Sequence, residues 1–323
     1  MVSNKTIFIA PLDWGLGHAT RCVSLIKQLL EQNKIYIGVT QNNKDFFQKQ
    51  FPQIPQIQLP AYNIRYHRFL PVWFKILIDW PRIQRVINIE HKLLQTIIKD
   101  HLIDFVISDN RFGLFTKNTH SVFITNQMFV KTPFLNKIAQ AVNASYIKRF
   151  DEVWVPDYAD KKLSLTGSLN HGKHFHANVK FIGPLTRLKK ILYPIHTFDV
   201  LVLLSGPQPQ HAIFMEQIKK WAALNQHLQF VFVSALVQIQ SEKNVTGFYQ
   251  PDENQLSDLI CGSKVVICRS GYSSLMDLHS LGKQKLYLCA TVGQTEQIYL
   301  AKYWQDKFSA KIINPDKPEG IQI

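Results

Sequence analysis

The sequence predicts an α/β protein built from two Rossmann-like domains, whose parallel sheets face each other across a cleft. Short apolar runs alternate with amphipathic segments along the whole chain, which is typical of βαβ units. The stretch from Pro184 to Thr197 interrupts this alternation once. A chain of 323 residues, 46% hydrophobic and 19% charged, is long and apolar enough for two cores. We therefore predict domains at residues 1–186 and 187–323.

The apolar runs and the helical periodicity place the elements in order. In the first domain we predict strands Ile7–Ala10, Ile35–Thr40, Phe105–Ser108, Val122–Thr125, Glu152–Pro156 and Val179–Ile182, and helices His18–Glu31, Pro81–Lys99 and Phe134–Lys148. In the second we predict strands Phe198–Leu204, Phe230–Ser234, Lys264–Cys268 and Leu286–Leu288, a helix after the loop SGPQPQ, and helices Asn254–Cys261, Ser273–Leu281 and Thr295–Trp304.

Composition narrows the class of protein. No apolar stretch reaches the roughly 18 residues that would suggest a spanning helix, and the short apolar N-terminus runs directly into a glycine loop, which indicates structure rather than a leader. The four cysteines form no CxxC pair, so we expect reduced thiols in a cytoplasmic protein. The net charge of +14 favours an anionic partner, such as nucleic acid, a membrane surface or a phosphorylated small molecule.

The segment DWGLGHATR follows the first predicted strand. Gly15 and Gly17 allow close backbone approach at a helix N-terminus, where free N–H groups meet anions. The third glycine of the dinucleotide fingerprint is missing, and His18 stands where a pyrophosphate would need to sit. A tight turn with a capping histidine is the structural alternative. Arg21 follows one turn later, and we expect both side chains at the cleft.

The segment VVICRSGYSSLMDL repeats this logic in the second domain, because a glycine turn again links a buried strand to a helix. Its guanidinium, hydroxyls and exposed N–H groups suit a diphosphate, and the carboxylate one turn later can reach sugar hydroxyls. The residues concerned are Arg269, Gly271, Ser273, Ser274 and Asp277, followed after the next strand by Glu296 and Gln297.

With these loops in this order, the chain resembles glycosyltransferases of the GT-B fold, most of all the MurG-like enzymes of family 28. By position, the resemblance implies that Asp277 binds ribose hydroxyls, while Glu296 and Gln297 read the donor sugar. It implies that the turn Arg269 to Ser274 lies beside the diphosphate, and that Ser205 and Gly206 form the glycine loop after the first strand of the second domain. It also places His18 opposite the acceptor and the reacting carbon.

The resemblance implies an inverting transferase that moves a sugar, N-acetylglucosamine by family likeness, from a UDP-sugar to a lipid-linked or glycan acceptor. Its base is His18, whose ordinary pKa suits neutral pH, with Asp13 as second candidate. No Asp-x-Asp motif occurs, so we expect neither an essential metal nor another cofactor. Asp109, Asn110 and Arg111 in SDNRFG follow a strand and are expected to face the cleft. The motif WVPD, residues 154–157, receives no role.

Basic and aromatic residues interleave over residues 65–85, a mixture that favours contact with an anionic membrane surface, although an ordinary core helix remains open. The expected location is the cytoplasm, on the inner face of the membrane. No nucleic-acid motif appears. His171, His174 and His176 fall in a polar loop without a neighbouring carboxylate or cysteine, which favours exposed histidines over a metal site.

The sequence departs from the family pattern in three ways. Asp277 is shorter than the usual glutamate, prolines replace glycines after Gly206, and Ile323 follows Ala301 by 22 residues, so helices that cross back to the first domain are expected to be absent. A nucleotide-sugar hydrolase or 2-epimerase and a non-catalytic sugar-nucleotide-binding protein stay open as alternatives. A nicotinamide enzyme is disfavoured, because no acid ends the second strand.

Overall fold

The structure is a computed structural model. It describes residues 2–63, 72–132, 136–173, 175–206, 208–315 and 321, with the backbone alone for 72–77. This part of the chain forms two compact units that divide between Leu185 and Thr186. Each unit contains one sheet whose strand pairs are all parallel, so the predicted α/β class is confirmed. No helix among these residues is long and apolar enough to cross a bilayer.

The first unit is built on a seven-stranded sheet. Its strands are β1 (Thr6–Pro11), β2 (Lys34–Val39), β3 (Gln56–Gln58), β4 (Phe105–Asp109), β5 (His120–Ile124), β6 (Glu152–Val155) and β7 (Val179–Phe181), and its helices are α1 (Leu16–Leu30), α2 (Lys44–Gln50), α3 (Val72–His101) and α4 (Asn136–Ile147). The strand order is β3-β2-β1-β4-β5-β6-β7. Helices cover both faces of β1, since Ile7 and Ile9 pack with α1, whereas Phe8 and Ala10 pack with Leu94 of α3.

The second unit is built on a six-stranded sheet. Its strands are β8 (Phe198–Leu204), β9 (Phe230–Ser234), β10 (Val245–Tyr249), β11 (Ser263–Arg269), β12 (Leu286–Cys289) and β13 (Lys311–Ile312), and its helices are α5 (Gln210–Leu224), α6 (Glu253–Gly262), α7 (Tyr272–Ser280) and α8 (Thr295–Phe308). The order is β10-β9-β8-β11-β12-β13. Val200, Val202, Phe214 and Ile218 join β8 to α5 in a buried core.

The strand order of each sheet reverses direction at one point. In the first sheet β1 lies between β2 and β4, and in the second β8 lies between β9 and β11. Loops that leave the carboxyl ends of two such strands diverge and open a crevice, where open α/β sheets bind their ligands. The loop with Gly15 and the loop with Asn110 flank this point in the first unit. The loops with Gly206 and Gly271 flank it in the second.

Several elements differ from the sequence-based prediction. Helix α3 begins at Val72 rather than Pro81, so the proline lies inside the helix instead of at its first turn. The elements α2, β3, β10 and β13 were not predicted. Three of these are short or rich in polar residues, so hydrophobic periodicity does not mark them. Helix α4 begins at Asn136, and residues 133–135 lie outside the described part.

Candidate functional site

The turn between β1 and α1 leaves bare backbone at a helix N-terminus. Gly15 caps α1 with a φ of 79°, a left-handed conformation that strains other residues, and a Cβ added there would meet no atom within 4 Å. The first turn of α1 contains no acidic residue, and no side chain caps it. The carbonyl of Gly17 accepts a hydrogen bond from the Thr20 hydroxyl at 3.0 Å. This arrangement suits a ligand oxygen or an anion.

His18 lies in the first turn of α1, against the buried carboxylate of Asp109 at the end of β4. Its Nδ1 is 3.1 Å from Asp109 Oδ1 and 2.9 Å from Arg21 Nη2. Arg21 binds both carboxylate oxygens, with Nε donating to Oδ2 at 2.8 Å and Nη2 donating to Oδ1. The Arg21 and Asp109 side chains are 3% and 0% exposed, and that of His18 is 18% exposed. Of these three side chains only that of His18 can meet a substrate, and the burial of Arg21 and Asp109 corrects their predicted position at the cleft.

Burial and charge together set the protonation of this group. Burial and the neighbouring Arg21 cation lower the pKa of His18, against the opposing attraction of Asp109. Burial alone would raise the pKa of Asp109, but Arg21 and His18 hold it well below its usual range. Asp109 is therefore a carboxylate at neutral pH, and His18 is a neutral imidazole.

The two contacts at His18 Nδ1 require different tautomers. A guanidinium has no acceptor, so Arg21 Nη2 can only donate to an unprotonated Nδ1. Asp109 instead accepts from a protonated Nδ1, which leaves a lone pair on Nε2. Asp109 thus supports the base-competent ring, while Arg21 supports the other tautomer.

Asp13 and Arg111 do not face open space, which corrects the prediction for both. Arg111 is fully buried, where its Nε donates to Glu90 Oε1 of α3 at 2.6 Å and its Nη2 donates to the carbonyl of Pro60 at 2.5 Å. The Asp13 side chain is 1% exposed and accepts from the backbone N–H of Tyr62 at 3.4 Å. Both residues hold loops together beneath the surface, and Asp13 is a poor candidate for the base.

A tight contact explains the rest of the motif SDNRFG. A Cβ added to Gly113 would lie 2.5 Å from Glu90 Cβ and from the carbonyl oxygen of Ile87, so only glycine fits against α3. Asn110 adopts a left-handed φ of 58°, which asparagine tolerates, and its N–H donates to the carbonyl of Ile124 at 3.1 Å. The motif therefore turns the chain sharply after Asp109 and ties the turn to helix α3.

The motif WVPD also acquires a structural role. Asp157 is fully buried and accepts bonds from the hydroxyls of Ser164, at 2.7 Å, and Thr166. Thr166 in turn accepts from Asn170 Nδ2 at 2.9 Å, and the same amide donates to the carbonyl of Asn126 at 2.8 Å. Asn126 is missed by the sequence analysis, although its Oδ1 accepts from Arg21 Nη1 at 2.7 Å. One polar network thus runs from the loop after β6 to Arg21.

In the second unit, α7 begins with an uncapped glycine. Gly271 is its N-cap, with an ordinary φ of −74° and no side-chain cap. A Cβ added there would have one neighbour, Gln297 Nε2 at 3.9 Å. Ser273 and Ser274 lie in the first turn and are half-buried. Gly206, after β8, has a φ of 97° and open space where a Cβ would stand, and Ser205 beside it is half-buried.

Gln297 is fixed in place beside this turn. Its Oε1 accepts from the backbone N–H of Thr291 at 2.8 Å, and its backbone carbonyl accepts from the Ser270 hydroxyl at 2.8 Å. Glu296 precedes it in the first turn of α8 and is half-buried. The structure therefore brings the loop after β11 and the start of α8 together.

Arg269 does not lie on the surface of that turn, which corrects its predicted placement. It is 3% exposed, and its Nη1 donates to the carbonyl of Ala290 at 3.0 Å while its Nη2 donates to that of Gln210 at 3.3 Å. Burial lowers the pKa of the guanidinium, although Cys289 opposes this. In the described part of the chain no carboxylate pairs with it. His211, which the sequence did not single out, lies close enough for the Arg269 charge to add to burial in lowering its pKa.

Asp277 lies in the second turn of α7 and is held by the segment that opens the second unit. The Thr186 hydroxyl donates to its Oδ1. Burial raises the pKa of Asp277 to about 6, while Thr186 and the nearby Arg187 cation work against that rise. Thr186 was not predicted, because its partner is 91 residues away along the chain.

Metal ligands are not gathered in the described part of the chain, where no group of three or more His, Cys, Asp or Glu side chains is placed to hold an ion. His176 Nε2 lies 2.9 Å from the carbonyl of Phe150, and His171 stacks on Phe181 with ring centroids 4.8 Å apart. His171 is half-buried rather than exposed, and its Nε2 lies 3.8 Å from Asp157 Oδ2, so a carboxylate does neighbour it. His174 lies outside the described residues.

Comparison with protein-family models and with curated proteins gives no match. Comparison with solved structures gives matches over nearly the whole chain. CalG4, the calicheamicin glycosyltransferase, is 12% identical with a TM-score of 0.67 over 98% of this chain and 87% of its own. MurG of Acinetobacter baumannii is 13% identical with a TM-score of 0.57 over 97% and 86%. UGT89C1 of Arabidopsis thaliana, solved with UDP-L-rhamnose, is 13% identical with a TM-score of 0.60 over 97% and 86%. At these identities the likeness establishes architecture, and with its two parallel sheets the chain has the GT-B fold.

Proposed function

We propose that this protein is an inverting, metal-independent glycosyltransferase that moves a sugar from a UDP-sugar to a hydroxyl of a lipid-linked or glycan acceptor. N-acetylglucosamine is the expected sugar. The fold supports a transferase of this type, and UGT89C1, a protein of the same fold, was solved with UDP-L-rhamnose. A lipid-linked acceptor goes with a location at the cytoplasmic face of the membrane. The stretch 65–85, predicted to touch lipid, lies mostly outside the described side chains.

The observation that carries the proposal is the environment of Gly271. This residue flanks the reversal point of the second sheet and has backbone angles that any residue adopts. Its missing Cβ has space, so the fold itself does not demand glycine. A bare backbone at an uncapped helix N-terminus is what a diphosphate requires for close approach. We therefore assign the turn at Gly271, with Ser273, Ser274 and the Gly206 loop, to the donor diphosphate.

The neighbouring side chains then take the rest of the donor. Asp277 follows Gly271 by nearly two helical turns and offers a carboxylate to the ribose hydroxyls. Gln297 is oriented by Thr291 and lies next to Gly271, where its amide can read sugar hydroxyls together with Glu296. Arg269, buried beneath the turn at Gly271, contributes a positive charge that stabilises the negative charge growing on the leaving diphosphate.

His18 is assigned to the acceptor. As the acceptor oxygen attacks the anomeric carbon, the bond from that carbon to the phosphate oxygen breaks, and the hydroxyl proton passes to His18 Nε2. Asp109 holds the Nδ1 proton and stabilises the imidazolium that forms. Attack opposite the leaving group inverts the anomeric centre in a single displacement.

Calorimetric titration with UDP tests the proposal, with GDP, TDP and NAD as competitors for specificity. We expect micromolar binding of UDP to the wild type and loss of binding in Asp277→Ala. The sharper variant is Gly271→Ala, which the fold tolerates, so we expect weaker UDP binding with an unchanged unfolding midpoint. His18→Ala is the matched control, which retains UDP binding but loses transfer by about 10²–10⁴-fold. Equal UDP affinity in wild type and Gly271→Ala would overturn the donor assignment.

A further inference from the structure

The segment that opens the second unit holds three large apolar side chains in solvent. Leu192, Tyr193 and Ile195 are 75%, 89% and 87% exposed. Earlier in the same segment, Leu188 is buried and only 5% exposed. Single exposed apolar residues are ordinary, but three large ones within four residues form a patch. We call residues 189–195 the apolar tip.

The backbone of the apolar tip is firmly held. The buried carboxylate of Asp258 in α6 accepts from the N–H of Ile195 at 2.6 Å and from that of His196 at 3.3 Å. A Cβ added to Gly262 would lie 1.7 Å from the carbonyl oxygen of His196 and 3.2 Å from Pro194 Cβ. The chain therefore packs directly on the backbone of Gly262. These contacts fix the segment while its apolar side chains remain outside.

Lysines lie within the apolar tip and next to it. Lys189 and Lys190 are exposed within it, and a Cβ added to Gly282 would lie 3.3 Å from Lys190 Nζ. Gly282 lines a groove at the amino-terminal edge of the sheet, between the ends of α7 and α8. Among the described residues that line the groove there is no Asp or Glu, and the cationic ones are Lys283, Lys285, Lys307 and Lys311. Lys190 thus links the apolar tip to the edge of the lysine-rich groove.

We infer that this surface docks on a bilayer that contains anionic lipids. Protruding Leu, Tyr and Ile side chains can enter the headgroup region, where a tyrosine ring is favoured, while the exposed lysines Lys189, Lys190, Lys285 and Lys311 meet lipid phosphates. The charged residues in the described lining of the groove are all lysines, which matches a partner of negative charge. The inference does not depend on the transferase activity proposed above.

Vesicle co-sedimentation of the full chain tests this inference. The probe is phosphatidylcholine vesicles with and without phosphatidylglycerol. We expect binding to the anionic vesicles, with a loss of at least about tenfold in the combined variant Leu192→Ser, Tyr193→Ser and Ile195→Ser. Replacement of Lys189 or Lys190 by glutamine is expected to weaken binding to the anionic vesicles about fivefold for each lysine. Leu224→Ser is the matched control, because Leu224 is 84% exposed elsewhere in the second unit, and it leaves binding unchanged.

A second variant reports insertion directly. Tyr193→Trp keeps an aromatic side chain. On addition of anionic vesicles, its tryptophan emission is expected to shift further to the blue than that of the wild type, whose six tryptophans give the background. The inference is overturned if the wild type binds equally to vesicles with and without phosphatidylglycerol, or if the combined variant binds like the wild type. It is also overturned by a wild type that does not bind vesicles but forms a dimer that the combined variant lacks, because the surface is then an interface between copies of the chain.

Discussion

Replacing Asp109 by asparagine removes one charge from a buried ion pair and keeps the shape of the side chain. The Arg21 guanidinium is 3% exposed and is then left without its carboxylate. Breaking a buried pair in this way costs about 3–5 kcal/mol, because an uncompensated charge stays in the interior. We therefore expect the free energy of unfolding of the first unit to fall by about that amount. The second unit, which contains neither residue, is expected to keep its stability.

Hydrogen exchange under increasing urea measures both units in one sample. Amides of β1 and β4 report the pair, and those of β8 and β11 are the internal control. Arg21→Gln and the double variant complete a double-mutant cycle with Asp109→Asn. The double variant should lose less stability than the two single variants lose together, because no lone charge remains in it. Additive effects, or a loss below about 1 kcal/mol in Asp109→Asn, would refute the ion-pair reasoning.

The sign of the pH dependence follows from the direction of the shift. The folded state lowers the pKa of Asp109, so the pair stabilises the fold above the ordinary pKa of a carboxyl group. This contribution is lost as the pH falls toward the depressed value. The difference in stability between wild type and Asp109→Asn is thus expected to be full at neutral pH and to shrink only in strong acid.

Two further sites give testable outcomes. Because burial raises the pKa of Asp277 to about 6, the UDP affinity of the wild type is expected to fall as the pH drops through that value. The ratio of UDP affinities between wild type and Asp277→Asn then falls toward one. A ratio that does not change with pH contradicts this. Thr186→Val removes a bond that favours the carboxylate, so the midpoint of that calorimetric pH profile is expected to rise, and an unmoved midpoint argues against the contact. Gly113→Ala forces a Cβ to 2.5 Å from Glu90 Cβ, and we expect about 1–3 kcal/mol of destabilisation in thermal unfolding of the first unit; a variant as stable as the wild type shows that α3 can yield.

The strands of the second unit show what local sequence can establish. Phe198–Leu204 and Phe230–Ser234 are found at the predicted bounds, because continuous apolar runs between polar segments mark buried parallel strands. The proximity of Gly271 and Gln297 was also foreseeable, since loops after neighbouring parallel strands emerge at one edge of a sheet. Both conclusions use only the period of the sequence and the geometry of parallel sheets.

The direction in which charged side chains point was not foreseeable in this way. Arg111 and Arg269 each follow or end a strand, which favours exposure at the sheet edge, yet both are buried. Arg111 turns inward because Glu90 is available on α3. Arg269 turns inward because the carbonyls of Ala290 and of Gln210, the first residue of α5, accept its bonds. These partners lie 20 or more residues away, so no local pattern reveals them.

The polar network of the first unit connects three motifs that look independent in the sequence. Asp157 organises the loop after β6, Asn170 carries that order to Asn126 after β5, and Asn126 holds Arg21 on α1. Arg21 then fixes Asp109 at the end of β4, and Asp109 contacts His18. A histidine that handles a proton must keep one ring orientation, and a place in the first turn of a helix does not by itself fix the ring. The buried residues of SDNRFG and WVPD are therefore best understood as the support that holds His18, with the substrate-facing role left to the histidine itself.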